Sequence, residues 1–327
     1  MPETFDGTPI AATATEQAQL AAFRTGAAVF TTLKEVVSVR GIDARSFLQS
    51  LVSQDVANLA PGEATDALLL QPQGKLIALM RMFVISEEHW LLLVDAGVGT
   101  ALHDGLARFK IRVKVDLEIS TDLVVACVRG PRAVEVTGYD ASRSVMALDD
   151  GVLVPNSWDI VAGVDWVGPR VKLTAAVDEM VANGALAVTK GVYETARVSY
   201  GVVTQGVDIN DRTIAQEAQL EVNAVSFTKG CFVGQELVCR IDSRGHVNRF
   251  VRLLRASDSS ARFTVGDSVE CQGTVVGEVT SVAAFDGVAL ATIRRTVDVG
   301  TEVSVGGSSA AVEQRFPSEP TNSASAD

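Results

Sequence analysis

Lys229-Gly230-Cys231-Phe232-Val233-Gly234-Gln235-Glu236 places one thiol between two glycines, two residues after a lysine and five before a glutamate. Glycine reaches backbone angles closed to other residues, so Gly230 and Gly234 predict a tight turn around Cys231. Gln235 and Glu236 are good helix formers, and Glu236 stands at i,i+4 spacing from Arg240 for an ion pair. A helix starting near Gly234 puts Cys231 just ahead of its N-terminus. There the peptide dipoles and the Lys229 ammonium both favour thiolate, lowering the pKa from the free value of roughly 8.5. The same residues also fit a buried, inert cysteine on a glycine-rich turn, and the octapeptide alone leaves both readings open.

Upstream, the chain reads as two blocks of mixed structure. After a Thr-, Pro- and Ala-rich start over residues 1–15, read as loose, Glu16–Arg24 predicts a short helix. Val36-Val37-Ser38-Val39 reads as a strand. An amphipathic helix follows from Asp43, an N-cap candidate, to about Ser53, with Phe47, Leu48 and Leu51 at helical spacing. Residues 64–96 alternate and break at Pro72-Gln73-Gly74 and Ser86–His89, the pattern of an antiparallel meander. A helix over Val98–Phe109 and a strand around Val113–Ile119 complete this block. The second block runs strand (Leu123–Val128), helix opened by Gly130-Pro131, two strands within 152–167, and a helix over Thr174–Asn183 ended by Gly184. That order suggests a ferredoxin-like α+β unit. Val192–Tyr200 reads as a helix returning towards the first block.

Downstream of Phe250 the helical signals stop. Strand-like runs at 251–256, 267–272, 274–283, 288–295 and 302–312, punctuated by Gly266, Gly273, Gly287 and Gly300, predict a small antiparallel barrel. From Pro317 no apolar residue exceeds alanine, and 316–327 is read as a disordered tail. The expected fold class is therefore α+β, with two antiparallel α+β units and a C-terminal barrel. The first unit takes 16–120 with 195–250, the second 121–194, and the barrel 251–315.

Hydrophobic residues at 47% and charged residues at 21% over 327 positions describe an ordinary globular chain. A net charge of −12 argues against general affinity for nucleic acid, and no direct nucleic-acid partner is expected. Arg240, Arg244, Arg249, Arg252 and Arg255 read as solvated strand and turn positions, although such a patch also suits an anionic small molecule. Cys127, Cys231, Cys239 and Cys271 lack Cys-x-x-Cys spacing, and His89, His103 and His246 add no ligand cluster, so no metal site is expected. No run approaches the ~18 apolar residues of a membrane helix, so no membrane partner is expected. The first 23 residues hold Glu3, Asp6 and Glu16 but no lysine or arginine, unlike a secretory or transit segment. A cytoplasmic, reducing setting is expected.

The octapeptide resembles the Lys-Gly-Cys-aromatic-x-Gly-Gln-Glu signature of the YgfZ-type folate-binding proteins, relatives of the glycine-cleavage aminomethyltransferase (T-protein). Phe232 fills the aromatic position, where tyrosine is commoner. Similarity extends through Phe47–Val56, Gln71–Lys75, Arg197–Gly201, Asp208–Asp211 and Ser243–His246, covering roughly residues 30–310. The resemblance implies two α+β units and a barrel arranged around a central channel for tetrahydrofolate, bound weakly here. It implies a folate-binding accessory protein for assembly or repair of iron–sulfur enzymes, radical-SAM enzymes that modify tRNA among the clients. Cys231 would be the working thiol and Lys229 its helper. Gln235, Glu236, Arg240, Ser199 and Glu217 would serve the cofactor.

Two departures separate this chain from the aminomethyltransferases it also resembles. Their paired aspartates, about four residues beyond the glycine of the Gln73-Gly74-Lys75 turn, are matched by Ala78 and Leu79. Their pterin-holding glutamate is matched by Ser199 in Arg197-Val198-Ser199-Tyr200-Gly201, and a serine supplies no charge. Glu217 lies in Ile214-Ala215-Gln216-Glu217, with alanine where the family has proline. An aminomethyl transferase acting on an unknown amine is the alternative, and a pure binding module with a structural Cys231 is a third reading. Asp211, Glu221 and His246 read as solvated surface.

Overall fold

Thr13 opens helix α1 (Ala14–Thr25) through a capping box, its hydroxyl accepting from the Glu16 N–H while the Glu16 carboxylate accepts from the Thr13 N–H at 2.8 Å. The computed structural model describes residues 12–315 apart from 33, 141–144, 159 and 259–260. The expected tail at 316–327, and residues 1–11 of the expected loose start, lie outside the described residues. Strand β1 (Ala28–Thr32) follows α1.

The first sheet is built by β2 (Glu35–Arg40), helix α2 (Ala44–Leu51), β3 (Ala64–Leu70), β4 (Leu76–Ser86), β5 (His89–Val94), helix α3 (Gly99–Ala107) and β6 (Asp116–Ser120). Its strands pair antiparallel in the order β3-β4-β5-β2-β6. Alternation decides the two faces. Ala78, Met80 and Met82 pack with Phe47 and Leu48 of α2 and Leu102 and Leu106 of α3. Leu79 and Arg81 point to the other side, towards the rest of the molecule. Asp43 holds the N-cap position of α2 as expected, yet its side chain caps nothing. Its Oδ2 accepts instead from the Lys114 N–H at 2.7 Å, tying the loop before β6 to this helix.

The second sheet comprises β7 (Leu123–Arg129), a short helix α4 (Ala133–Thr137), β8 (Met146–Leu148), β9 (Gly151–Pro155), β10 (Gly163–Pro169), helix α5 (Leu173–Ala182) and β11 (Leu186–Ala187). Its order is β11-β1-β7-β10-β9-β8. Strand β1, which its place in the chain assigns to the first unit, is thus hydrogen-bonded into the second sheet, antiparallel to β7 and parallel to β11. The cause lies in β7: Val124–Arg129 is buried throughout, and an unpaired edge there would leave buried N–H and C=O groups without partners.

Helix α6 (Lys190–Ser199), N-capped by Thr189, leads to an irregular stretch with a one-turn helix α7 (Glu221–Ala224) and then α8 (Gln235–Arg244). The last six strands are β12 (Arg249–Ala256), β13 (Ser268–Cys271), β14 (Thr274–Val282), β15 (Val288–Arg294), β16 (Glu302–Val305) and β17 (Ser308–Glu313). They close into a barrel, β12-β15-β14-β13-β16-β17. The run expected as one strand over 302–312 is two, because Gly306 and Gly307, with φ of 55° and 84°, form a tight hairpin between Val305 and Ser308. No helix among the described residues is long and apolar enough to cross a membrane.

Helix α8 begins where the signature predicts, directly after Gly234, whose φ is 80°. A Cβ on Gly234 would lie 2.5 Å from the Gln71 carbonyl oxygen and 3.1 Å from Cα of Gly74, and one on Gly74 would lie 2.7 Å from Cβ of Leu237. The signature turn and the Gln73-Gly74-Lys75 hairpin therefore close upon each other through their glycines. Gly230 differs from expectation: its φ is not in the left-handed region, and a Cβ there would meet nothing within 4 Å. Gly234→Ala should lose about 3 kcal/mol, from left-handed strain plus overpacking. Gly230→Ala should stay within ~0.5 kcal/mol of the unaltered protein. Urea unfolding with a constant m-value measures both, and equal midpoints would refute the seating of Gly234.

Candidate functional site

The signature loop is anchored by its lysine. Lys229 is buried, and Nζ donates to the carbonyls of Gln49 at 2.8 Å, Val52 at 2.7 Å and Gln54 at 2.9 Å, at and just past the end of α2. An ammonium has three protons, and all are taken. The helix C-terminus that receives them carries partial negative charge. Burial pushes the Lys229 pKa down to about 8, with Asp55 pulling the other way, so at neutral pH the clamp stays charged. The ring of Phe232 lies 5.6 Å from Nζ and packs with Leu70, Leu220 and Val238. Lys229 thus seats the loop, and its protons point to carbonyl oxygens.

Cys231 is exposed, one turn ahead of α8. The other thiols are hidden to differing degrees: Cys239 and Cys271 are half-buried, and Cys127 is buried, its pKa pushed up to about 12 by burial and then by Asp165. The remaining sequence-chosen residues scatter. Glu217 is buried, its carboxylate accepting from Arg249 Nε at 2.9 Å and the Ile214 N–H at 3.0 Å, a joint between the 214–218 turn and β12. Ser199 Oγ donates to Asp286 Oδ2 at 3.4 Å, against the barrel's 283–287 turn. Gln235 is half-buried on α8, and Glu236 and Arg240 are exposed there, with no ion pair joining them.

A cavity of about 740 Å³ lies between the two sheets, and none of those residues lines it. From the first sheet come Asp66, Leu79 and Arg81, from the second Phe30 and Arg129, and from the β9–β10 connection Trp158. Helix α6 contributes Tyr193, Glu194 and Arg197, while segments 202–207 and 219–224 and Arg315 close it. One wall is aromatic: Phe30 stacks on Tyr193 at 4.4 Å between centroids, Tyr193 meets Trp158 edge-on at 5.3 Å, and the Arg129 guanidinium sits 5.2 Å over the Trp158 ring.

The polar lining is held rigidly. Lys34 pairs with Asp95 at 2.6 Å and Arg81 with Asp66 at 2.9 Å. Arg129 pairs with Asp165 at 2.6 Å, in full burial, and Asn156 donates to the other Asp165 oxygen. Burial alone would lower the Lys34 pKa, but Asp95 outweighs it and the ammonium lies above the ordinary lysine value. Counting lining side chains only, cations (Lys34, Arg81, Arg129, Lys190, Arg197, Arg315) exceed carboxylates (Asp66, Asp95, Glu194) by three. Two of those cations, Arg129 and Arg197, are offset from behind the lining by Asp165 and Asp208. The Gln205 side chain grips the edge of β4, accepting from the Leu79 N–H at 2.8 Å and donating to the Ile77 carbonyl at 2.7 Å. The backbone beside Ala78 and Leu79 is therefore occupied by an amide, and Leu79 brings only a hydrocarbon side chain to the cavity.

The cavity residues were missed because they come from segments far apart in the chain, each unremarkable alone. Among the described residues no three His, Cys, Asp or Glu side chains group as metal ligands.

Comparison with known proteins agrees with this fold. A family model for the GCVT N-terminal domain matches residues 1–146. The chain is 26% identical to the tRNA-modifying protein YgfZ of Aliivibrio fischeri over 72% of each chain. It is 24% identical to an uncharacterized protein of Haemophilus influenzae over 82% of this chain and 88% of that one. It is 28% identical to the aminomethyltransferase of Prosthecochloris aestuarii over 62% of this chain and 61% of that one. The crystal structure of the glycine cleavage system aminomethyltransferase T from Bartonella henselae superposes with a TM-score of 0.79, covering 91% of this chain and 88% of that one at 19% identity, which fixes the fold. Two antiparallel α+β sheets, a closed C-terminal barrel, the signature turn and these relatives together support a YgfZ-type member of the glycine-cleavage aminomethyltransferase superfamily.

Proposed function

We propose that this protein binds reduced folate in the central cavity and uses Cys231, at the surface, in the assembly or repair of iron–sulfur enzymes, those that modify tRNA among them, in the cytoplasm. The cavity carries the reading. Its volume falls in the range of small-molecule sites. Tetrahydrofolate joins a flat ring system to a glutamyl dianion, and the cavity offers an aromatic wall with an excess of cations. Phe30, Trp158 and Tyr193 would flank the rings, and Arg81 and Lys190 would face carboxylates. When bound, the cofactor supplies a carrier for one-carbon units. Arg197 orients Glu194 and Gln205 fixes the backbone of β4, so the site is preorganised.

The transferase alternative fares worse. It needs a carboxylate free to handle an amine, and Asp66, Asp95 and Glu194 are each engaged with a cation. Weak binding is part of this reading: Ser199, matched to the pterin-holding acid of the aminomethyltransferases, carries no charge, and its hydroxyl is turned to Asp286.

Calorimetry with tetrahydrofolate should give a Kd of about 10–100 μM. Trp158→Ala and Arg81→Ala should each weaken it about tenfold, the loss of one aromatic or charged contact. Arg240→Ala and Glu236→Ala should leave it unchanged, since neither residue lines the cavity. No heat at millimolar ligand would end the folate reading. For the thiol, brief iodoacetamide treatment at neutral pH followed by mass spectrometry should label Cys231 first and leave Cys127 unlabelled until unfolding. Labelling of Cys239 or Cys271 ahead of Cys231 would remove Cys231 from the proposed role.

A further inference from the structure

Arg108-Phe109-Lys110-Ile111-Arg112-Val113-Lys114 joins α3 to β6 at the edge of the first sheet, and none of it lines the cavity. It carries four cations and no acid in seven residues of a chain whose net charge is −12. All but Val113 are exposed, Phe109 at 43% and Ile111 at 72%. Lys110 makes a 3.3 Å ion pair with Asp116, itself 92% exposed, and among the described residues no ion pair is formed by Arg108, Arg112 or Lys114. The loop is nonetheless fixed. The Asp43 carboxylate holds the Lys114 N–H, and a Cβ on Gly41 would lie 2.1 Å from the Lys114 carbonyl oxygen. Arg112 sits at φ 58°, in the left-handed region. Cations and two bulky apolar side chains are thus presented together from a pinned backbone.

We infer that this loop is a contact site for an unpaired segment of RNA, its cations meeting phosphates and Phe109 stacking on a base. Single-stranded nucleic acid is bound by this combination of positive charge with an exposed aromatic face. A protein partner fits less well, because interface cores are depleted of charge and two apolar side chains here stand among four cations. An anionic bilayer fits less well too: the rest of the chain carries −16, and a flat surface would bring much of that charge close. A single strand is narrow enough to reach the loop alone. The overall charge still argues against general affinity for nucleic acid, and this loop is the local exception. The site is on the opposite side of the first sheet from the cavity and stands independently of the folate reading.

The full-length protein should bind a fluorescent oligouridylate of about twelve nucleotides with micromolar affinity at about 50 mM salt, read by anisotropy. The log–log salt slope should be about −2 to −3, as four phosphate contacts require. Arg112→Glu combined with Lys114→Glu should weaken binding at least about tenfold and flatten that slope. Phe109→Ala should weaken it about fivefold or more and leave the slope unchanged, since stacking is lost and charge is not. Unchanged thermal midpoints certify that the variants are folded. A duplex of the same length should bind less tightly. Absence of binding, a flat salt dependence, or variants that bind like the unaltered protein would overturn the inference, as would loop-dependent binding to phosphatidylglycerol vesicles without binding to the oligonucleotide.

Discussion

Arg197 and Asp208 meet in the interior at 2.9 Å, their side chains 5% and 0% exposed, and the walls of the cavity are referenced to this pair. Arg197 also donates to the Val202 carbonyl, to Ser281 Oγ and to Glu194. Asp208 accepts from the Thr204 N–H and from Thr280 Oγ1. Helix α6, the 202–208 loop and strand β14 of the barrel are fastened at one point. Burial pulls the guanidinium pKa down, but Asp208 and Glu194 hold it above the ordinary arginine value, so the charge persists. Removing either partner would leave an uncompensated buried charge, at about 3–5 kcal/mol. The value of such a pair lies in the geometry it permits: α6 can present Tyr193 and Glu194 to the cavity only because Arg197, one turn on, is immobile.

Local patterns carried most of the architecture into the sequence. The meander over 64–94, the helices α2, α3, α5 and α6 and most barrel strands are set by period and by breaks at glycine and proline, and these act over a few residues. Two features were not local. Strand β1 takes its place from the need of β7 for a second neighbour, a demand arising some ninety residues later. The hairpin at Gly306-Gly307 depended on both glycines adopting positive φ, which composition alone suggests but does not date. The signature was legible for the start of α8 and for Gly234. It misled over Gly230, which no neighbour confines, and over Lys229, whose partners lie at the far end of α2.

The cavity was the least legible part, for a physical reason. Its ion pairs join residues distant in the chain, Lys34 with Asp95 and Arg129 with Asp165, and only topology brings them together. Residue type could say that Ala78 and Leu79 lack carboxylates, but it could not say which of the two faces the ligand space. Pleating decides it: Ala78 is sealed in the core beneath α2 and α3, and Leu79 looks into the cavity. One position, not two, therefore sets the chemistry of that wall, and here it is aliphatic.

The thiol and the cavity occupy different places, and their relation constrains any mechanism. Cys231 is exposed, while the next residue, Phe232, is buried with Leu220 and Ala224, two residues that also line the cavity. The chain from the cavity wall to the thiol is thus a short packed core, pinned on one side by Lys229 at the end of α2 and on the other by the Gly234 and Gly74 turns. That core, Phe232 with Leu220 and Ala224, stands between the cavity lining and the exposed thiol. A ligand in the cavity can change how tightly Leu220 and Ala224 pack, and through Phe232 how the signature loop stands. Interiors are close-packed and transmit such displacements poorly by degrees but well between discrete arrangements. The packed route between cavity and thiol therefore runs through the position of the signature loop.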